Sequence, residues 1–164
     1  MLHANLKIKV GTYVGNGIAN RIISGIGFQP RMLWSFGENT NDPSIKFENT
    51  PRTVLDKLPG AVAVNNTIEP NADGYNVDGN TSANPSAVDL HYVAFGGTNK
   101  GMAIGGFMGD GADNRTISDS QQMPFTPTII GLKARTQTQG MCVRTPSMTL
   151  EAVPIFNTSV FANN

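Results

Sequence analysis

Clustered oxygen donors are the residues of this chain whose types and spacing come closest to chemistry. Asp110, Asp113 and Asn114 fall together, as do Asn71, Asp73 and Asp78, and a calcium ion takes about six to eight such oxygens. Neither run has the ligand spacing of an EF-hand loop. Asp and Asn beside Gly are also the ordinary residues of turns, because their short side chains hydrogen-bond the neighbouring backbone. The expectation is turns, with no metal and no cofactor. Gly15-x-Gly17 and Gly109-x-Gly111 suggest a phosphate-binding loop, but such a loop must open a helix whose N-terminus faces the phosphate. No helical periodicity follows either pair, so both read as turn glycines.

Nucleophiles and bases are few. His3 lies near the N-terminus, His91 sits between Leu90 and Tyr92, and no serine has a Gly-x-Ser-x-Gly setting. Cys142 is the single cysteine, which rules out an intrachain disulfide or an all-cysteine metal cluster and suits a small buried hydrophobe. The chain is therefore expected not to be an enzyme. Arg21 and Arg115 follow Asn20 and Asn114; a guanidinium placed there is expected to hydrogen-bond turn carbonyls rather than to read a carboxylate or a sugar hydroxyl. Trp34, Tyr75, Tyr92 and Phe95 offer faces on which a sugar stacks, yet the alternation around them assigns most of them to a core.

The elements that must position these residues read as strands. Leu6-Lys7-Ile8-Lys9-Val10 alternates apolar and basic residues, the period-two pattern of a half-buried strand over about 6–14. Gly15-Asn16-Gly17 supplies a tight turn, Asn20 to Ser24 a short second strand, Gly27-Phe28-Gln29-Pro30 a corner, and Met32 to Phe36 a buried third strand. Ile45-Lys46-Phe47, Ala61 to Val64, Tyr75-Asn76-Val77 between two Asp-Gly pairs, and Asp89 to Phe95 complete the strand signals. Thr50-Pro51 opens either a helical turn or a β-bend. With no sustained 3.6-residue apolar period, the fold class is all-β: an antiparallel β-sandwich, jelly-roll-like.

Part of this pattern occurs twice. Gly11, Gly15, Gly17, Asn20, Arg21, Ile23 and Ser24 recur as Gly105, Gly109, Gly111, Asn114, Arg115, Ile117 and Ser118; Phe28 and Pro30 then recur as Phe125 and Pro127, and Met32-Leu33 as Ile129-Ile130. Further on, Thr50-Pro51, Leu55, Asp56 and Pro59 meet Thr145-Pro146, Leu150, Glu151 and Pro154. Such self-similarity marks a structural unit used twice. The expected organisation is one compact domain built of a first copy over 1–100 and a second, shortened copy over 101–164. Met102-Ala103-Ile104 would then repeat the role of Ile8-Lys9-Val10, and Phe28 and Phe125 would be equivalent core anchors.

Twelve basic and twelve acidic residues balance to a net charge of zero, so no electrostatic footprint for nucleic acid is present. Neither a charged leader with an apolar run nor a span of about 18 apolar residues occurs. The expected site of synthesis is the cytoplasm, with no membrane partner.

The module from Val10 to Gly17, VGTYVGNG, the stretch from Asn20 to Pro30, NRIISGIGFQP, then Ala72 to Val77, ADGYNV, and His91 to Phe95, HYVAF, resembles a repeat family of tailed-bacteriophage virion surface proteins and related bacterial surface proteins. In that family the pattern reads G-x-Y-x-G-N-G, a G-F-x-P corner, a D-G-F/Y-x-V hairpin and a Y-x-A-F/W closing strand. Arg144 to Met148 looks like another family element, whereas Arg31 departs from the acidic residue common after the corner. The resemblance implies a β-sandwich displayed on a virion. At 164 residues, a capsid decoration or cement protein that stabilises the phage head is the expected function; a tail-fibre receptor-binding or other carbohydrate-binding module is the alternative. The partners implied are the major capsid protein, sister subunits in a homotrimer, and surface glycans. Ile155, Phe156, Val160 and Phe161 are the expected interface residues, being too apolar to be left in water.

Overall fold

The computed structural model describes residues 6–38, 43–51, 54–57, 63–64, 68–79, 83–98, 100–111, 125–134 and 141–148. In chain order the strands are β1 (Leu6–Val14), β2 (Arg21–Ile23), β3 (Met32–Gly37), β4 (Ser44–Phe47), β5 (Val54–Lys57) and β6 (Ala63–Val64). They continue as β7 (Ile68–Asn71), β8 (Gly74–Val77), β9 (Asp89–Gly97), β10 (Ile130–Lys133) and β11 (Met141–Arg144). No helix occurs among the described residues, and the strands pair antiparallel. They form a six-stranded sheet in the order β1-β9-β3-β4-β5-β6, a three-stranded sheet β2-β8-β7, and the hairpin β10-β11.

Strand β9 organises the large sheet. Its nine residues alternate strictly in burial, as the two-residue period of a strand requires. Leu90, Tyr92 and Ala94 point to one face with Leu33 and Ser35 of β3, and all five are buried. Against that face the small sheet sets Ile23, Ile68, Tyr75 and Val77, and with Ile26 and Ala83 these side chains make one apolar cluster. Burying a side chain of this size stabilises by about 1.5–3 kcal/mol. Pro70 lies in β7, the outer strand of the small sheet, where a missing N–H costs no ladder bond.

The opposite face carries Met32, Trp34 and Phe36 of β3 with Ile45 and Phe47 of β4, and the hairpin covers it with Met141 and Val143. Trp34 packs edge-on against Phe95 at 5.4 Å between ring centroids. Asp56 pairs with Ile45 across β4 and β5 and is fully buried. Lys133 of β10 is its electrostatic neighbour: burial pushes the Lys133 ammonium below its ordinary range, and the Asp56 carboxylate opposes that shift.

Several expectations are met within a residue or two. β1, β2, β3, β4, β8 and β9 fall where alternation put them, and Thr50 ends a bend, its N–H and hydroxyl both donating to Phe47 O. Two expectations fail. Met102-Ala103-Ile104 forms no strand. β1 is held along its whole length by β9, and among the described residues no second closing strand lies beside 102–104 to satisfy its backbone groups. Nor is β1 half-buried on its apolar side: Leu6, Ile8 and Val10 are 47%, 54% and 65% exposed. β1 lies at the sheet edge, and the hairpin packs instead on the β3-β4 part of that face.

The corner fixes where β3 starts. Pro30 is fully buried, Arg31 N donates to Phe95 O at 2.8 Å, and Phe28 packs against the first cluster. Its ring lies on Gly96, where a Cβ would come within 2.5 Å of it. Phe125 and Pro127 are half-buried. Gly96→Ala should therefore destabilise by about 1–3 kcal/mol through overpacking, and much less when Phe28 is already Ala. Urea melts of the four chains in this double-mutant cycle measure the coupling; additive effects would mean that the ring does not rest on Gly96.

Candidate functional site

The loops at one end of the first cluster are built around a buried carboxamide. Asn84 is fully buried. Its Oδ1 accepts from Asn16 N at 3.0 Å and from Arg21 Nη1 at 3.4 Å, and its Nδ2 donates to Asn16 Oδ1 and Ile18 O, both at 2.9 Å. Its carbonyl takes Gly17 N. Every hydrogen-bonding position of the carboxamide is thus filled, which is what makes a buried amide tolerable. Gly15 has no room for a side chain, since a Cβ there would lie 1.7 Å from Pro85 O. Gly17 adopts φ 68°, as does its echo Gly111 at 76°, the left-handed region that favours glycine. The glycine pair is a turn packed under a neighbouring loop.

Arg21 donates from Nη1 to Val14 O, and its guanidinium lies over the Tyr13 ring at 5.3 Å. It braces a turn carbonyl, as expected from the sequence. The oxygen donors around Asp73 are likewise occupied by the backbone: Gly25 N and Gly27 N donate to the two carboxylate oxygens at 3.1 and 2.7 Å. Asn71 Oδ1 accepts from Asp73 N, and Asp78 Oδ1 from Asn20 N. Among the described residues no group of three His, Cys, Asp or Glu is placed to hold a metal ion. Asp110 is exposed, whereas Asp113, Asn114, Arg115 and His3 lie outside the described residues.

The aromatic residues do not make one platform. Tyr75 and Tyr92 stack edge-on at 5.6 Å inside the first cluster, with Tyr13 alongside, while Trp34 and Phe95 lie on the other face of the sheet. Tyr92 and Phe95 are three positions apart on one strand, which by itself sends them to opposite sides. Tyr13 donates to Ala83 O at 2.5 Å; burial pushes its hydroxyl up to about 12. Burial raises Tyr75 and Tyr92 in the same direction. His91 pairs with Glu38 at 2.8 Å on the surface, opposite Thr12 of β1, and Cys142 is half-buried in β11.

Two surface features remain. A cleft of about 240 Å³ is lined by Gln29, Lys46, Glu48, Thr50, Ile68, Glu69 and Pro70. At its rim Arg31 clasps Glu48, with Nε 2.8 and 2.9 Å from the two carboxylate oxygens, and Nη1 donates to Met102 O at 2.7 Å. A basic residue after the corner therefore ties the chain beyond Gly101 to the sheet, a role closed to an acidic side chain. Lys46 Nζ donates to Pro51 O at 2.6 Å.

The second feature is the outer side of β1. Leu6, Ile8, Val10 and Val14 are all exposed. Their strand is the sheet edge, and they continue the face that carries Val93 and Phe95, which oppose Val10 and Ile8. Sequence reasoning did not find this surface; its signal was the same alternation, read as a buried side. The four expected interface residues, Ile155, Phe156, Val160 and Phe161, lie outside the described residues. Comparison of the chain with protein-family models, curated proteins and solved structures finds no match.

The loop carboxamide and the tyrosines give two tests. Asn84→Ala strands the groups it satisfied and should cost about 2 kcal/mol, read as a lower urea midpoint. The tyrosines act at alkaline pH. Below pH 10 they are neutral in both states and their contribution is intact; above it the unfolded chain ionises first, so stability falls as pH rises through 10 to 12. Tyr13, whose hydroxyl is pushed up to about 12, alone removes about 1.4 kcal/mol per pH unit in that window, and Tyr75 and Tyr92 act in the same direction. Melts should show this decline, and Tyr75→Phe should make it shallower.

Proposed function

We propose that this chain is a structural protein of a virion surface, a capsid decoration protein that binds the assembled shell and stabilises it. The observation that supports this reading best is the exposed apolar strip of β1 at an open sheet edge, since an edge of that kind invites pairing with another chain. The family motifs point the same way: VGTYVGNG forms the end of β1 and its turn, and HYVAF forms the middle of β9. The finer architecture belongs to the same reading. The two sheets that share the first cluster are the halves of a jelly-roll-like sandwich, and hairpins β3-β4 and β10-β11 are corresponding parts of two repeat copies. The segment with Ile155, Phe156, Val160 and Phe161 serves as the attachment arm toward the shell or a sister subunit, through burial of apolar surface.

A carbohydrate-binding role, on a tail fibre or elsewhere, is the second reading. It is favoured by the cleft between Gln29, Glu48, Thr50 and Glu69, whose amide, hydroxyl and carboxylate groups suit sugar hydroxyls.

Purified chain mixed with empty capsids of the encoding virus should sediment with them and raise their resistance to heat. Deleting 157–164 should leave the β-type circular dichroism unchanged and abolish co-sedimentation. A truncated chain that coats capsids at the wild-type level would remove the arm from the mechanism, and a full chain that never coats them but binds a glycan array would favour the second reading.

A further inference from the structure

We propose that two copies of this chain associate through β1, paired antiparallel across a twofold axis at Val10. The inference draws on the same open edge of β1 as the virion reading but does not need it: in the dimer a sister copy occupies that edge.

β1 is nine residues long and pairs with β9 in one unbroken register. It carries no proline and no bulge, two of the devices that protect natural edges. Among the described residues its outer side pairs with nothing. Its one guard is charge: Lys7 and Lys9 alternate with Leu6, Ile8 and Val10, so they lie on the other face from the apolar strip.

That charge pattern selects the occupant and the register. With Val10 opposite itself, Leu6 meets Val14, Lys7 meets Tyr13, Ile8 meets Thr12 and Lys9 meets Gly11, so all nine residues of each strand are paired. No lysine then faces a lysine, and like charges directly opposite are what a sheet avoids. A slide that centres the axis on Lys9 sets Lys9 against Lys9, and centring on Ile8 sets Lys7 against Lys9. Centring on Gly11 leaves Leu6 and Lys7 without partners. A slip of one residue would join the apolar side of one copy to the lysine side of the other. The Val10 register alone pairs the full strand, keeps the apolar strips on one face and sets no lysine directly opposite another, the two Lys9 being diagonal neighbours.

The result is a continuous sheet across both copies, with the exposed residues of β1 meeting their symmetry mates beside Val93 and Phe95. Main-chain hydrogen bonds supply much of the attraction, about one per residue pair. The net charge of zero adds no long-range repulsion. An isologous edge contact closes at two subunits, in contrast to the threefold implied by the family resemblance.

The test uses the full chain with Cys142→Ser, so that an added cysteine is the sole thiol. Sedimentation velocity should show a dimer that Val10→Lys converts to monomer, with at least a tenfold rise in Kd and an unchanged β-type spectrum. With oxidised glutathione, Val10→Cys should form an interchain disulfide, two thiols losing their protons and electrons as one glutathione disulfide becomes two glutathiones. Opposed residues in either kind of antiparallel pair lie within disulfide reach. Ile8→Cys and Thr12→Cys should each cross-link poorly alone and readily when mixed. A wild-type chain that stays monomeric up to about 1 mM would overturn the proposal. So would a trimer, or a dimer that Val10→Cys fails to cross-link.

Discussion

The insertion of β9 between β1 and β3 is the constraint on which the rest of this structure depends. Residues 89–97 pair with residues 6–14 on one side and with 32–37 on the other, so the sheet closes only when distant parts of the chain meet. Once β9 is seated, its two-residue period divides the molecule. Tyr92 and Ala94 demand cover from the small sheet, and Phe95 draws Trp34 to the opposite side. Gly96 extends the same logic, because a bare Cα there lets the Phe28 ring close the corner.

Polar groups fix the loops around that frame. Asn84 satisfies the turn after β1, Asp73 satisfies the backbone of Gly25 and Gly27, and Arg31 joins the corner to Glu48 and Met102. Each is a side chain whose donors or acceptors are met by backbone that would otherwise be stranded. This is how, among the described residues, Asp73, Asp78 and Asn71 come to serve turns rather than stand open to a ligand. Spent on the backbone, these oxygens are held where a cation would have to compete with N–H donors.

The two faces of the large sheet are covered unequally. Three strands cover one face, whereas the hairpin contributes Met141 and Val143 against Ile45 and the β3 aromatics on the other. The hairpin stops short of β1, and the lysines of β1 sit on the side where they cannot shield the apolar strip. An edge left this way is either a liability or an interface, and its alternation makes it complementary to itself.

Much of this was legible in the amino-acid sequence. Period-two alternation located most strands, the absence of a 3.6-residue period excluded helices from the described residues, and Gly-Asn-Gly and Asp-Gly marked turns that the fold then made. Arg21 was readable as a brace because it follows a turn. β7 was less legible because it contains a proline, and β5 because Thr50-Pro51 ahead of it read as a helical turn or a bend. What alternation cannot say is which of two differing faces will be covered, for that is set by whatever element packs there from far along the chain. Leu6, Ile8 and Val10 therefore looked like a buried side and proved exposed, and Met102 to Ile104 looked like a strand and pair with no strand among the described residues. Strand character is local and was determined by the sequence; burial, edge position and the candidate surface are properties of non-local pairing, and only the tertiary structure decided them.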